Sequence, residues 1–147
     1  MGQAGTNGPG GRRWRVIATA GMALLAGNGA AAAQGNEAVY GVWSNAKGTL
    51  HVQTAACGEK LCGSVVWATD KAKTDSLKGG VTHLVGTQLL QEYRRTGTNS
   101  WAGRVFVPDM GRTFSSRIQR LPSGELKISG CLVGGLICKS QTWHRVP

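Results

Sequence analysis

Acidic residues are scarce in this chain. Only 7 Asp and Glu stand against 17 Lys and Arg across 147 residues, for a formal net charge of +10. An excess of that size favours anionic surroundings such as acidic headgroups or polysaccharide, and it also serves plain solubility. Runs of like charge are missing, since none exceeds Arg94-Arg95. Aromatic residues are not interleaved with Arg or Lys on one strand face, which argues against nucleic-acid binding. An apolar period of 3.6 residues is absent over any length that would make a long helix. Ser64, Ser115 and Ser116 lie in strand-like stretches without a nucleophile elbow. A hydrolase needs a nucleophile, a base and an orienting acid that converge, so hydrolysis stays an outsider and no catalytic residue is assigned. Asp70, Asp75 and Asp109 fall in loop-like stretches and read as turn polarity. His51, His83 and His144 share no ligand spacing, so no metal and no cofactor is expected.

No apolar run is long enough to span a membrane. Residues 1–11 are Gly-rich and uncharged, Arg12, Arg13 and Arg15 are basic, and residues 16–26 are small or apolar. Ala31-Ala32-Ala33 then supplies a small-x-small step. This is the pattern of a secretory signal, with cleavage expected after Ala33. Arg15 stands where a twin-arginine signal prefers an apolar residue, so the general secretory route is expected. The expected organisation is a signal peptide over 1–33 and a single domain over 34–147, periplasmic or secreted, without a membrane span. That domain holds all 7 acidic residues and 14 of the basic ones, which gives it +7.

Four cysteines remain, and export to an oxidising compartment makes disulfides the ordinary outcome. Three pairings are open. Loop entropy gives about 2 kcal/mol for Cys57–Cys62, about 2.5 for Cys131–Cys138 and about 4.5 for a long Cys57–Cys131 link. Entropy alone favours crossing links. Proximity during folding favours local ones, and each local pair brackets a turn, so the local pairs are expected. The rival is a four-cysteine zinc site, for which the C-x4-C and C-x6-C spacings are loose. Neither pair is C-x-x-C, which weakens a redox role.

The rest of the domain is strands and turns. Residues 49–53 alternate apolar and polar, and residues 61–67 are rich in β-branched and aromatic side chains. Residues 69–80 are polar and read as the longest loop. Residues 81–93 fit a helical face or short strands around Gly86, and strands are preferred. Pro108-Asp109-Met110-Gly111 and Pro122-Ser123-Gly124 are tight turns, and Gly134-Gly135 is a third. Phe114, Ser116 and Ile118 share one strand face, as do Leu126 and Ile128. About eight short strands with turns every eight to twelve residues predict an all-β sandwich or barrel, with an up-and-down meander the simplest topology.

Four spaced motifs then stand together: Gly41-Val42-Trp43; Cys57-Gly58-Glu59-Lys60-Leu61-Cys62-Gly63; residues 103–114 with Val107-Pro108-Asp109-Met110-Gly111-Arg112-Thr113-Phe114; and Gly130-Cys131 through Cys138-Lys139-Ser140-Gln141-Thr142-Trp143-His144-Arg145. In this order they resemble the bacterial family of small exported proteins called domain of unknown function 2147. The resemblance implies a small antiparallel β-barrel similar in outline to lipocalins, with no assigned activity to carry over. The chain departs from the family pattern at His144, where Thr is common, and at Phe106-Val107, where Tyr-Asp is usual. The second change removes a carboxylate.

Trp43, Trp67, Trp101 and Trp143 are candidates to line a ligand cavity, or else to fill the core. By likeness to lipocalins and by cation–π attraction, Arg145 is expected to stack on Trp43 and close the barrel. The expected function is non-enzymatic binding of a small amphipathic or apolar envelope molecule by a monomer. The alternative is a structural or interaction module of the envelope with a filled core.

Overall fold

The computed structural model describes residues 38–132 and 137–147. The expected signal peptide and the Gly134-Gly135 turn lie outside the described residues. Eight antiparallel strands follow in order: β1 (Gly41–Ser44), β2 (Leu50–Cys57), β3 (Lys60–Ala68), β4 (Gln88–Gly97), β5 (Ser100–Val107), β6 (Arg112–Arg120), β7 (Leu126–Leu132) and β8 (Ile137–Arg145). Each pairs with the next, and β8 returns to β1, so the sheet closes into a barrel. Closure removes free sheet edges and lets alternate side chains point into one core. Of the sandwich and the barrel that the strand and turn spacing leaves open, this is the antiparallel up-and-down barrel that the family resemblance implies.

The interior follows the period of two. Val52 and Thr54 on β2, Leu61 and Val65 on β3, Ser116 and Ile118 on β6, and Leu126 and Ile128 on β7 are buried, while Gln53, Arg117 and Lys127 between them are exposed.

Residues 69–80, expected as a loop, contain the helix α1 (Asp70–Lys78). Its signals are caps rather than an apolar stripe. Thr69 Oγ1 accepts a hydrogen bond from the Ala72 amide at 3.2 Å, Asp70 sits in the first turn and Lys78 in the last, each favourable to the helix dipole. Lys71 and Asp75 form an i,i+4 pair at 2.5 Å. The inward face is made of small residues, Ala72 and Ser76, so no apolar period marks it. Gly79 ends the helix against the β5–β6 turn, where a Cβ would overlap the Pro108 carbonyl.

The preference for short strands around Gly86 within residues 81–93 holds for Leu89-Leu90, which lie in β4, and is corrected for Leu84-Val85. Pairing begins only at Gln88. Before it the chain turns, with the Thr87 amide donating to the Leu84 carbonyl and the Gly86 amide to the Val65 carbonyl. Gly86 takes φ 94°, a conformation that suits glycine and not a continuing strand.

Trp67 departs as well. Between His51 and Val52 the β2–β3 register shifts, so Val52 faces Val65 while His51 faces Trp67. The extra residue turns Val66 and Trp67 outward and restores Ala68 to the core, as a β-bulge does. Trp67 is 44% exposed and stacks on His51 with ring centroids 4.5 Å apart.

Candidate ligand-binding cavity

The two ends of the barrel differ. At one end β1 enters, and its side chains seal the floor. The Trp43 indole N–H donates to the Val39 carbonyl at 3.0 Å and to Thr54 Oγ1 at 3.2 Å. Thr54 Oγ1 donates onward to the Val39 carbonyl at 2.5 Å. The Arg145 guanidinium lies over the Trp43 ring, 4.3 Å from its centroid, and donates to the Tyr40 and Ala38 carbonyls at 3.0 and 2.9 Å. Gly41 has φ 140°, and a Cβ there would collide with that guanidinium. Above this floor Leu61, Leu90, Tyr93, Trp101 and Ile118 are fully or almost fully buried. Burial pushes the Tyr93 phenol pKa above its ordinary value, against an opposing influence from Ser116. Its hydroxyl and Ser116 Oγ nonetheless make no hydrogen bond of standard geometry.

The opposite end is open. A cavity of about 350 Å³ lies among the β1–β2 turn, α1 and the β5–β6 turn, lined among others by Asn45, Leu50, Ala72, Leu84, Phe106 and Pro108. A second, about 260 Å³, is lined by Val105, Val107, Met110, Phe114, Ile128, Gly130, Lys139, Gln141 and Trp143. Val105, Val107, Gln141 and Trp143 border both, so the two meet along one wall. Volumes of this order suit a small molecule. The second cavity has the mostly apolar lining with a few polar groups usual for such a site, while the first also carries Lys47, Lys71, Asp75 and Asp109.

Local sequence explains the mouth. Asn45 shapes the β1–β2 turn: its Oδ1 accepts from the Thr49 and Leu50 amides at 2.8 and 3.1 Å, and its Nδ2 donates to Thr49 Oγ1 at 2.9 Å. Asp75 on α1 is bracketed by Lys71 and by Lys78 at 3.0 Å. Hydrogen bonds from Lys71, then Lys78, hold its carboxyl below the usual carboxylate range.

Of the four tryptophans named from sequence, Trp43 and Trp101 are buried, Trp143 borders both cavities, and Trp67 lies outside the barrel. Sequence reasoning missed Lys139 and Gln141. Both stand in step with Trp143 on β8, and the register sets them opposite Gly130 and Ile128. The period of two could have found them. Cys57 is joined to Cys62 at the sealed end and Cys131 to Cys138 at the open end. The histidines are dispersed: His51 is under Trp67, the His83 carbonyl accepts from Thr87, and His144 pairs with Glu125 at 2.5 Å. Among the described residues no group of three His, Cys, Asp or Glu is placed to hold a metal ion.

A family model described as an uncharacterised protein conserved in bacteria, DUF2147, matches residues 41–145. The chain belongs to this family. The match begins at the Gly41-Val42-Trp43 floor and ends at Arg145, so the family sequence spans the whole barrel circuit. A comparison with curated proteins gives no match. Among solved structures the chain is similar to protein HP1028 of Helicobacter pylori, described as belonging to the lipocalin family. The TM-score is 0.58 and the identity 17%, over 74% of this chain and 82% of that one. At that identity the likeness is one of fold: a lipocalin-like barrel. Among the described residues no helix is long and apolar enough to cross a membrane.

Proposed function

We propose that this protein binds a small apolar or amphipathic molecule in the open half of its barrel, and that it does so in the cell envelope after export. The observation that carries the reading is the asymmetry of the lumen. One end is sealed by Trp43, Arg145 and the core above them, and the other opens through two adjoining cavities walled by Val105, Val107, Phe114, Ile128 and Trp143. A closed floor beneath apolar walls, with polar groups at the rim, holds a guest and leaves one route in. The lipocalin-like fold supports binding rather than turnover. Two disulfides suit an oxidising compartment.

Trp143 supplies the assay, because its indole is 5% exposed and borders both cavities. Titration with envelope lipids and their single-chain derivatives is expected to change tryptophan fluorescence saturably, with a one-to-one complex in native mass spectra. A Trp143→Phe variant should lose most of the fluorescence signal and keep the complex. Absence of any complex across a lipid panel would defeat the reading.

A second reading has its own support. Val66 and Trp67 form an exposed apolar pair on the outer wall, which fits an interaction module. Crosslinking in intact cells separates the two, since that module requires a protein partner captured through the outer face of β3.

A further inference from the structure

We infer that the guest is an anionic amphiphile, oriented with its charged head at Lys139 and its apolar tail toward Trp143. This rests on the binding reading above and deepens it. The inward face of β8 carries a gradient of polarity. From the open end it presents Lys139, then Gln141, then Trp143, and all three border the smaller of the two cavities. The first two are exposed and the third is buried. The lining from β5, β6 and β7 has no such gradient: Val105, Val107, Phe114 and Ile128 are apolar throughout. A molecule matched to this lining and to β8 is apolar along its length and polar at the outer end only.

The sign of that polar end follows from the free groups. Lys139 has no acidic partner among the described residues, and its neighbour across the ladder is Gly130, which has no side chain to occupy the space. The Gln141 carbonyl oxygen already accepts from the Trp143 indole at 3.3 Å, which leaves its amide N–H groups as donors. A cation and an amide donor on one wall suit an oxyanion. Carboxylates at the mouth do not cancel this. Asp75 is engaged by Lys71 and Lys78. Asp109 borders only the larger cavity, as does the cation Lys47. A carboxylate and a phosphate monoester share the required chemistry.

The test uses matched single-chain probes: dodecanoate, dodecyl phosphate, dodecanol and dodecyltrimethylammonium, each titrated against the wild-type domain, Lys139→Met and Lys47→Met. Lys139 is exposed, so its replacement should leave the melting temperature unchanged, which a thermal scan checks. The expected result is tighter binding of the two anions than of the alcohol, with rejection of the cation. Lys139→Met should weaken the anions about tenfold or more, on the scale of one charge-assisted hydrogen bond, and leave dodecanol nearly unaffected. Preference between dodecanoate and dodecyl phosphate identifies the head. Equal affinity for anion and alcohol, or a loss produced by Lys47→Met and not by Lys139→Met, would overturn the assignment while the lumen remained a binding site. Failure of all four probes, dodecanol included, would overturn the binding reading with it.

Discussion

Arg145 stacks on Trp43 across the β1–β8 seam, where the two residues are also register partners. The guanidinium therefore does three things: it covers the indole, ties β8 to β1, and caps the carbonyls of Tyr40 and Ala38 ahead of β1. Replacement by Ala removes a cation–π contact and two charge-assisted hydrogen bonds. The expected cost is about 1–3 kcal/mol. Lysine restores the charge without the planar fork and should recover only part of it. Urea denaturation of the three forms measures both steps. Because the seal is at the far end from the cavities, ligand affinity measured well below the unfolding midpoint should hold in both variants.

The barrel was legible because its signals are local. Alternation in Leu126, Ile128 and their polar neighbours, and glycine-containing turns at regular intervals, specify antiparallel strands almost independently of partners. The helix α1 was not, because its buried side chains are Ala72 and Ser76, which carry no hydropathy contrast. Its caps, Thr69 and Gly79, mark only its two ends, and a polar stretch between them reads as a loop. Trp67 was misplaced for a different reason. One residue of register shift opposite His51 reverses the faces of a strand, and nothing in residues 61–67 announces a bulge. At the mouth, Lys139 and Gln141 carry no hydropathy signal of an inward position, although their spacing from Trp143 sets their side.

The disulfides should act unequally. Cys131 and Cys138 are direct register partners on β7 and β8, at the open end beside Lys139. Replacing both by Ser should cost about 2.5 kcal/mol by loop entropy, and the melting temperature should fall by about 4–8 °C for each kcal/mol lost. Removing the Cys57–Cys62 bridge, which closes a shorter loop, should cost about 2 kcal/mol. Only the first change lies near the cavities, so only it should alter ligand affinity. Calorimetry and probe titration of the two double-Ser variants decide the point. Peptide mapping of the non-reduced protein should recover Cys57 linked to Cys62 and Cys131 to Cys138.

Tyr93 gives a pH dependence with a definite sign. Burial keeps its phenol protonated in the folded barrel beyond the ordinary value of 10.0. Below that value both folded and unfolded chains hold the proton, and the group adds no pH dependence. Above it the unfolded chain releases the proton and the folded one keeps it, so stability falls as pH rises. Tyr93→Phe should remove that part of the alkaline slope. At neutral pH it should be tolerated within about 1 kcal/mol, because the deleted hydroxyl has no hydrogen-bond partner to orphan. Urea midpoints of both proteins below and above pH 10.0 make the comparison. An identical alkaline slope in the two would show that Tyr93 ionises freely.

Gly130 offers the cleanest separation of fold from binding. It faces Ser116 on β6 and Lys139 on β8, and it borders the smaller cavity. A Cβ built there meets Val105 Cγ1 at 3.5 Å and the Ser115 carbonyl at 3.8 Å, which is ordinary contact. A larger side chain must therefore extend into the space assigned to the guest. Leucine at this position fills part of a cavity of about 260 Å³ with apolar atoms. It should leave the melting temperature unchanged or slightly raised, since it buries apolar surface and removes a strand glycine. Binding of a dodecyl probe should fall at least tenfold, because leucine occupies the space beside Lys139 through which the guest is seated. Gly130→Ala should fall between the two in affinity, with no loss of stability. A Gly130→Leu protein that melts normally and binds the probe as tightly as the parent would place the guest elsewhere on the molecule.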